Sequence, residues 1–283
     1  MGSVRNRLAR PPVVEAEVIY ALKMDHRPTA YLGGEEGDKN DTANETRIVA
    51  IHNVRGEPVS YDVQGFAIFP HKTAVTNFRD PARIQDIYRP ELEKVVREVT
   101  GASRVAVWKG GAARLAPRAK EFGAAGTTYP SPTIHGDYTE NSAPGEIIKL
   151  VGEEEAKTWL KKRYAIFSLW RAFSDPPQDM PLCLIDYTTI NVDKQRQLGD
   201  VYYGKGPKEK RMHLEGSGYF YSPKHRWCYF RDMNPDELLF IKTYDSDHSK
   251  AWQTPHTSFV DPSAPPDAPP RMSLDIRAAV SWD

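Results

Sequence analysis

Only two cysteines, Cys183 and Cys228, occur in 283 residues, each inside an apolar run. Two thiols cannot build a disulfide framework, so stability has to come from a core, and a reducing, cytoplasmic setting is expected. Charge of one sign is missing as well, because 38 basic and 38 acidic side chains cancel. With no net field to draw the chain onto nucleic acid or an anionic membrane, the expected partner is a small, roughly neutral molecule. No apolar run approaches the ~20 residues of a membrane span. The basic stretch Met1 to Arg10 is followed by no apolar segment of the kind a secretory leader carries. Phosphate-cradling patterns such as G-x-G-x-x-G and G-x-x-x-x-G-K-[ST] are absent, and so is any internal repeat.

What is present is a chain long enough for a sizeable core, and a β barrel of this length commonly forms one domain. One domain over 1–283 with peripheral helices is expected, divided into an N-terminal extension (1–65) and a catalytic core (66–282). The run Gly-Gly-Glu-Glu-Gly-Asp-Lys-Asn-Asp between Leu32 and Glu45 has no apolar anchor and reads as a mobile loop. Leu92, Val95, Val96 and Val99 recur at helical spacing between Asp80 and Gly101, with Pro90 in a first turn and Gly101 at C′. A second helix is expected over Glu146 to Arg163, where Glu153 to Glu155 precede Lys157, Lys161, Lys162 and Arg163, an order that suits the helix dipole.

Short apolar runs follow: Ala165 to Trp170, Leu182 to Tyr187, Gly218 to Tyr221, Arg226 to Phe230 and Leu239 to Tyr244. These read as strands of a mostly antiparallel sheet system. Asn234-Pro235-Asp236-Glu237 carries the marks of a short helix, with an N-cap, a Pro at N1 and a Glu at N3. The proline-rich stretch from Asp261 to Pro270 has too few backbone donors for a central strand and must be a loop.

His135-Gly136-Asp137 puts an imidazole and a carboxylate two residues apart, and in a strand such residues share a face. One cation can sit against both, or the pair can simply be hydrogen-bonded at a strand end. A second histidine would complete a facial set of two His and one carboxylate, which leaves open positions for a bidentate oxo acid and dioxygen. His256 is the best placed, because the proline loop and then Arg271-Met272-Ser273 follow it. From Arg271 the chain alternates strictly: Arg271, Ser273, Asp275 and Arg277 on one face, Met272, Leu274, Ile276 and Ala278 on the other. If the polar face lines the cavity, Arg271 can take the distal carboxylate of 2-oxoglutarate in a two-pronged pair with Ser273 beside it, and Arg277 is a substitute anchor. The other reading is an edge strand whose polar face meets water. His248 and His213 look solvated, and His225, His71, His52 and His26 have no partner at ligand spacing. For the substrate pocket the expected walls are Tyr138, Trp170 and Arg171. A guanidinium in the run Ile166 to Trp170 is costly unless paired, so Arg171 is a candidate for a substrate carboxylate, and Lys242 is a third cationic candidate.

Taken in order, His135-Gly136-Asp137-Tyr138-Thr139, Ser168-Leu169-Trp170-Arg171, His225-Arg226-Trp227-x-Tyr229-Phe230, Lys242-Thr243-Tyr244-Asp245-Ser246, Pro255-His256-Thr257 and Pro269-Pro270-Arg271-Met272-Ser273 form a recognisable series. It resembles the hydroxylase/desaturase family that includes the cephem 7-methoxylase component CmcJ and many fungal biosynthetic oxygenases. The resemblance runs from about Phe66 to Trp282 and extends over Arg79 to Val107. It implies a double-stranded β-helix (jelly-roll) barrel, Fe(II) with 2-oxoglutarate and O2 as cosubstrates, and a small substrate from specialised metabolism. By this resemblance His135, Asp137 and His256 fall on the metal positions and Arg271 on the carboxylate anchor. The oxidising group would be carried by the metal, with no protein nucleophile. Ala172, where relatives often carry Pro, and the basic loop Lys205 to Arg211 depart from the pattern. A zinc-dependent hydrolase on the same three ligands and a metal-free jelly-roll binding module are the competing readings.

Overall fold

The computed structural model describes residues 11–32, 38–123 and 127–283. Its strands, in chain order, begin with β1 (Val13–Ala21), β2 (Thr29–Leu32), β3 (Asn44–Asn53), β4 (Phe66–Pro70) and β5 (Arg104–Leu115). They continue with β6 (Thr127–Thr128), β7 (His135–Gly136), β8 (Tyr164–Ala172), β9 (Leu182–Ile185) and β10 (Arg196–Tyr203). The last are β11 (Met212–Tyr219), β12 (Trp227–Tyr229), β13 (Glu237–Asp245), β14 (His256–Ser258) and β15 (Met272–Ser281). Helices α1 (Pro81–Arg83), α2 (Arg89–Thr100), α3 (Ala143–Val151) and α4 (Glu153–Trp159) are peripheral.

The strands form two sheets, one in the order β4-β13-β8-β15-β5-β6 and the other β1-β3-β12-β9-β14-β7-β11-β10-β2. The jelly-roll architecture expected from the sequence is what the chain adopts. Strand alternation sorts the side chains. In β15, Leu274, Ile276, Ala278 and Val280 pack outward with Phe167 and Leu169 of β8, against Tyr88, Leu92 and Val96 of the α2 region. The opposite residues of β8, such as Trp170 and Ala172, meet Leu184 and Cys228 of the second sheet. Both faces of the six-stranded sheet are therefore covered, and β8 is buried along its whole length.

The second sheet curls over itself. Val14, Ala16, Val18 and Tyr20 of β1 pack on Cys183, Ile185, Trp227 and Tyr229, which face away from the six-stranded sheet. Ile19 bridges Thr133, just before β7, so the N-terminal hairpin is built into the wall that carries the site. Of the loop expected at 32–45, positions 33–37 lie outside the described residues; Leu32 ends β2, Asp41 bridges back to Thr29 and Asn44 opens β3.

Helical expectations fare unevenly. The one at 80–101 forms, from Pro81 through a π turn at Ile84–Tyr88 to Thr100, and Gly101 closes it with φ 63°. The single helix expected over Glu146 to Arg163 is instead two, α3 and α4, broken at Gly152, whose φ of 85° and ψ of 160° only glycine adopts without strain. The short helix expected at Asn234 is a turn. Its capping-box bonds do form, the Glu237 carboxylate accepting from the Asn234 N–H at 3.0 Å and the Asn234 side chain from the Asp236 N–H at 2.9 Å. Glu237 is already the first residue of β13, paired with Pro70, and the ladder takes the chain before a helical turn can grow.

Candidate metal centre

β7 lies between β14 and β11, with His135 directly opposite His256 and Gly136 opposite Ser217. That register puts the two imidazoles side by side across the ladder, ring centroids 4.5 Å apart and planes tilted by 53°. His135 Nδ1 donates to the Thr133 carbonyl at 2.8 Å and His256 Nδ1 to the Thr254 carbonyl at 3.1 Å. With both protons committed to backbone oxygens, each Nε2 lone pair faces inward, the tautomer a metal ligand needs. Asp137 Oδ1 lies 3.9 Å from His135 Nε2 and Oδ2 lies 3.7 Å from His256 Nε2. One ligand atom from each of the three residues falls within 4.8 Å of the others.

Asp137 uses its two oxygens differently. Oδ1 accepts from Arg277 Nη2 at 2.8 Å, whereas Oδ2 is buried and has no hydrogen-bond partner among the described residues. A buried, orphaned carboxylate oxygen costs on the order of 1–3 kcal/mol or more. Two inward imidazole lone pairs and that oxygen form a donor set that fits a divalent first-row metal. Burial works against ionisation of Asp137, but Arg277, then His256 and His135, overcome it and hold the carboxyl well below the usual carboxylate range. His135 is pushed down to about 4, first by burial and then by His256. It stays ready to ligate at neutral pH.

The same depression makes the metal-free protein acid-sensitive. Between pH 6.5 and about 4 the unfolded chain protonates this histidine and the folded chain does not. Stability therefore falls as pH drops through that window, by roughly 3 kcal/mol from this group. His225, held at about 4 by burial, acts in the same direction. Urea unfolding of metal-free wild type and His135→Gln at pH 7 and 4.5 isolates the His135 share, expected as a shallower decline in the variant.

Gly136 is required by close approach. A Cβ there would stand 2.9 Å from Gln253 Cδ and 3.0 Å from Tyr219 Oη. Those two side chains are hydrogen-bonded to each other, and Gln253 also donates to the Tyr138 carbonyl, so this cradle supports the ligand-bearing segment from behind.

The alternating face of β15 points into the site as expected. Arg277 does not act as an oxo-acid anchor, because Nη2 holds Asp137 and Nη1 holds both Asp275 oxygens at 2.5 Å. It stands between two carboxylates and is saturated. This pairing orients Asp137 and leaves its Oδ2 without a hydrogen bond. Replacing Arg277 with Gln is expected to weaken iron affinity ten- to a hundredfold, as loss of a residue supporting a metal ligand typically does, measured by competition with a chelator.

Arg271 differs. It is 1% exposed, donates Nη1 to the Met180 carbonyl at 2.9 Å, and its Nε has no partner among the described residues. Asp179, the carboxylate whose charge acts on it, is engaged by Arg118 and by the Arg271 backbone N–H. Burial, then Arg114, pushes the Arg271 guanidinium down to about 9. An uncompensated cation of this kind calls for an anion. Arg271, His135, His256, Trp170 and Asp275 line one cavity, so the cation hole and the anion-seeking guanidinium share a chamber.

Other expected residues separate. Trp170 lines the cavity, with Arg271 5.6 Å over its ring. Tyr138 does not line this cavity: it is buried beside Arg277, 5.9 Å from its guanidinium, and packs with Ile147 and Trp159 of the helical side. Ser273 lies on the inner face, but its hydroxyl donates to the Arg114 carbonyl at 3.3 Å. The hydroxyls that line the cavity belong to Ser131, Ser168, Thr257 and Ser258. Arg171 is a correction: it follows Trp170 in a strand and so faces the other way. There it donates to Tyr88 Oη at 2.7 Å and to the His71 and Pro235 carbonyls, under α2 and away from the cavity. Lys242 is structural too, paired with Asp62 and Asp245. Arg114, on β5, was missed; its signal is the alternation with outward-facing Ala113 and Leu115, which places it on the cavity face.

A family description, Oxidoreductase/YMDC permease-like domain, matches residues 18–281. The chain is 29% identical over 262 residues to the Fe(II)/2-oxoglutarate-dependent dioxygenase nvfI of Aspergillus novofumigatus (strain IBT 16806), covering 90% of this chain and 89% of that one. It is 28% identical over 290 residues to the hydroxylase/desaturase CTB9 of Cercospora beticola, covering 93% and 87%. A solved structure of the iron and alpha-ketoglutarate-dependent endoperoxidase NvfI superposes with a TM-score of 0.81 at 25% identity, over 97% of this chain and 99% of that one. The chain belongs to the Oxidoreductase/YMDC permease-like domain family and is an oxidoreductase of the Fe(II)/2-oxoglutarate-dependent dioxygenase class.

Proposed function

We propose that His135, Asp137 and His256 hold Fe(II), that Arg271 binds the distal carboxylate of 2-oxoglutarate, and that the enzyme oxidises a C–H bond of a small specialised metabolite. Residues 1–283 act as one oxygenase domain. The observation that carries this reading is a pair of orphans: a carboxylate oxygen on Asp137, beside His135 and His256, that wants a cation, and a guanidinium Nε on Arg271, in the cavity those histidines line, that wants an anion. A hydrolytic zinc site has no use for the second. Two free, buried thiols, Cys183 and Cys228, fit a cytoplasmic enzyme, and no described helix is long and apolar enough to cross a membrane.

When bound, iron supplies the one-electron chemistry that lets dioxygen react. The chain's residues do the rest: Arg271 fixes the oxo acid, Arg277 holds Asp137, and Trp170 walls the space in which the substrate lies. Position selects the bond attacked, since a displacement of ~1 Å can cost about a hundredfold. Each turnover converts 2-oxoglutarate and O2 to succinate and CO2, and the second oxygen atom leaves as a substrate hydroxyl or, on desaturation or ring closure, as water. Purified protein supplied with Fe(II), ascorbate and a panel of fungal pathway intermediates should release succinate in step with substrate loss, and zinc should not replace iron. Hydrolysis by a zinc-loaded form, with no succinate under any condition, would sink the proposal.

A further inference from the structure

The cavity contains one positive charge too many. Arg271 and Arg114 line it with a single carboxylate, Asp275, and the Arg277–Asp137 pair beside it cancels within itself. Fe(II) and a 2-oxoglutarate dianion cancel each other, and ligating imidazoles are neutral, so the excess persists when both are bound. It is localised. Arg277 is paired with both acids, and Arg271 is the anchor of the proposed function. Arg114 has no carboxylate partner among the described residues; Nη1 donates only to the Tyr129 carbonyl, at a long 3.3 Å. It is half-buried and opens onto the same chamber as Arg271 and His135. Two like charges facing one enclosed space repel unless anions occupy it.

We propose that Arg114 is a second anion-binding residue of this site and takes a carboxylate that Arg271 does not hold. The charge count favours an acid group on the substrate; the metal-end carboxylate of the oxo acid is the other source of the same chemistry. The inference rests on Arg271 being the 2-oxoglutarate anchor.

Propionate, a bare carboxylate, is the probe, read by thermal unfolding of the full-length, metal-free protein, because ligand binding raises stability by mass action. Expected is an upward shift in wild type, a smaller one in Arg271→Gln and in Arg114→Gln, and none in the double variant. Loss of the whole shift in Arg271→Gln, or an undiminished shift in Arg114→Gln, overturns the proposal. A second arm uses the Mn(II) form saturated with 2-oxoglutarate under nitrogen. A further propionate shift that vanishes in Arg114→Gln assigns the carboxylate to the substrate. No further shift, with 2-oxoglutarate affinity about tenfold lower in Arg114→Gln, assigns it to the oxo acid. Wild-type 2-oxoglutarate affinity in Arg271→Gln would defeat the anchor reading alone, since the propionate shifts report on Arg114 independently.

Discussion

Changing His256 to Ala is expected to abolish iron binding and succinate production, while His248→Ala should leave both at the wild-type level. The two histidines lie close in sequence and differ in what surrounds them. His256 is buried on β14, its Nδ1 proton on the Thr254 carbonyl and its Nε2 3.7 Å from Asp137 Oδ2. His248 stacks on Trp252 with centroids 4.1 Å apart, outside the cavity. Taking away one of three protein ligands should lower iron affinity by more than the ten- to hundredfold that loss of a supporting residue costs. Metal content after anaerobic reconstitution is the measurement, with circular dichroism to show that the variant is folded. Stoichiometric iron in folded His256→Ala would remove this residue from the ligand set.

Arg271→Met should lower 2-oxoglutarate affinity by about a hundredfold or more, because truncating one partner of a buried charge pair costs roughly 2–5 kcal/mol. The same change should make the ligand-free protein more stable. Arg271 is buried with a carbonyl on Nη1, nothing on Nε and Arg114 repelling it. Replacing such a charge with an apolar side chain of similar volume is often worth ~1–4 kcal/mol. A gain in folding stability with a loss of cosubstrate is the signature of a residue kept for binding, at the expense of the empty fold. Urea unfolding without ligands reads the first effect and titration of 2-oxoglutarate into the Mn(II) form reads the second. A destabilised variant with unchanged affinity would mean that Arg271 is structural.

Much of the site was legible before any fold was known, for a local reason. His135 and Asp137 are two residues apart, and the chain alternates polar and apolar residues over the eight positions from Arg271 to Ala278 that lead into and along β15. Both are consequences of strand geometry that a single segment displays. The strand that failed is the informative one: β8 is buried on both faces, so Trp170 and Arg171 look equally interior in the sequence and only the opposing sheet separates them. Trp170 meets the cavity, while Arg171 meets Tyr88 and His71 beneath α2. The Asn234 turn failed differently, its capping bonds being real but outcompeted by pairing of Glu237 with Pro70.

By itself, then, the amino-acid order determined the strand-rich class, the α2 helix, the candidate ligands and the polar face of β15, because each is a periodic or nearest-neighbour property of the chain. Only the tertiary structure decided that Arg277 holds Asp137 rather than an oxo acid, that Arg114 shares a chamber with Arg271, and that β1 and β3 close the wall behind the metal site. Those facts depend on which sheet faces which, and charge pairing across a cavity is settled by packing between segments more than a hundred residues apart, where no local pattern reaches.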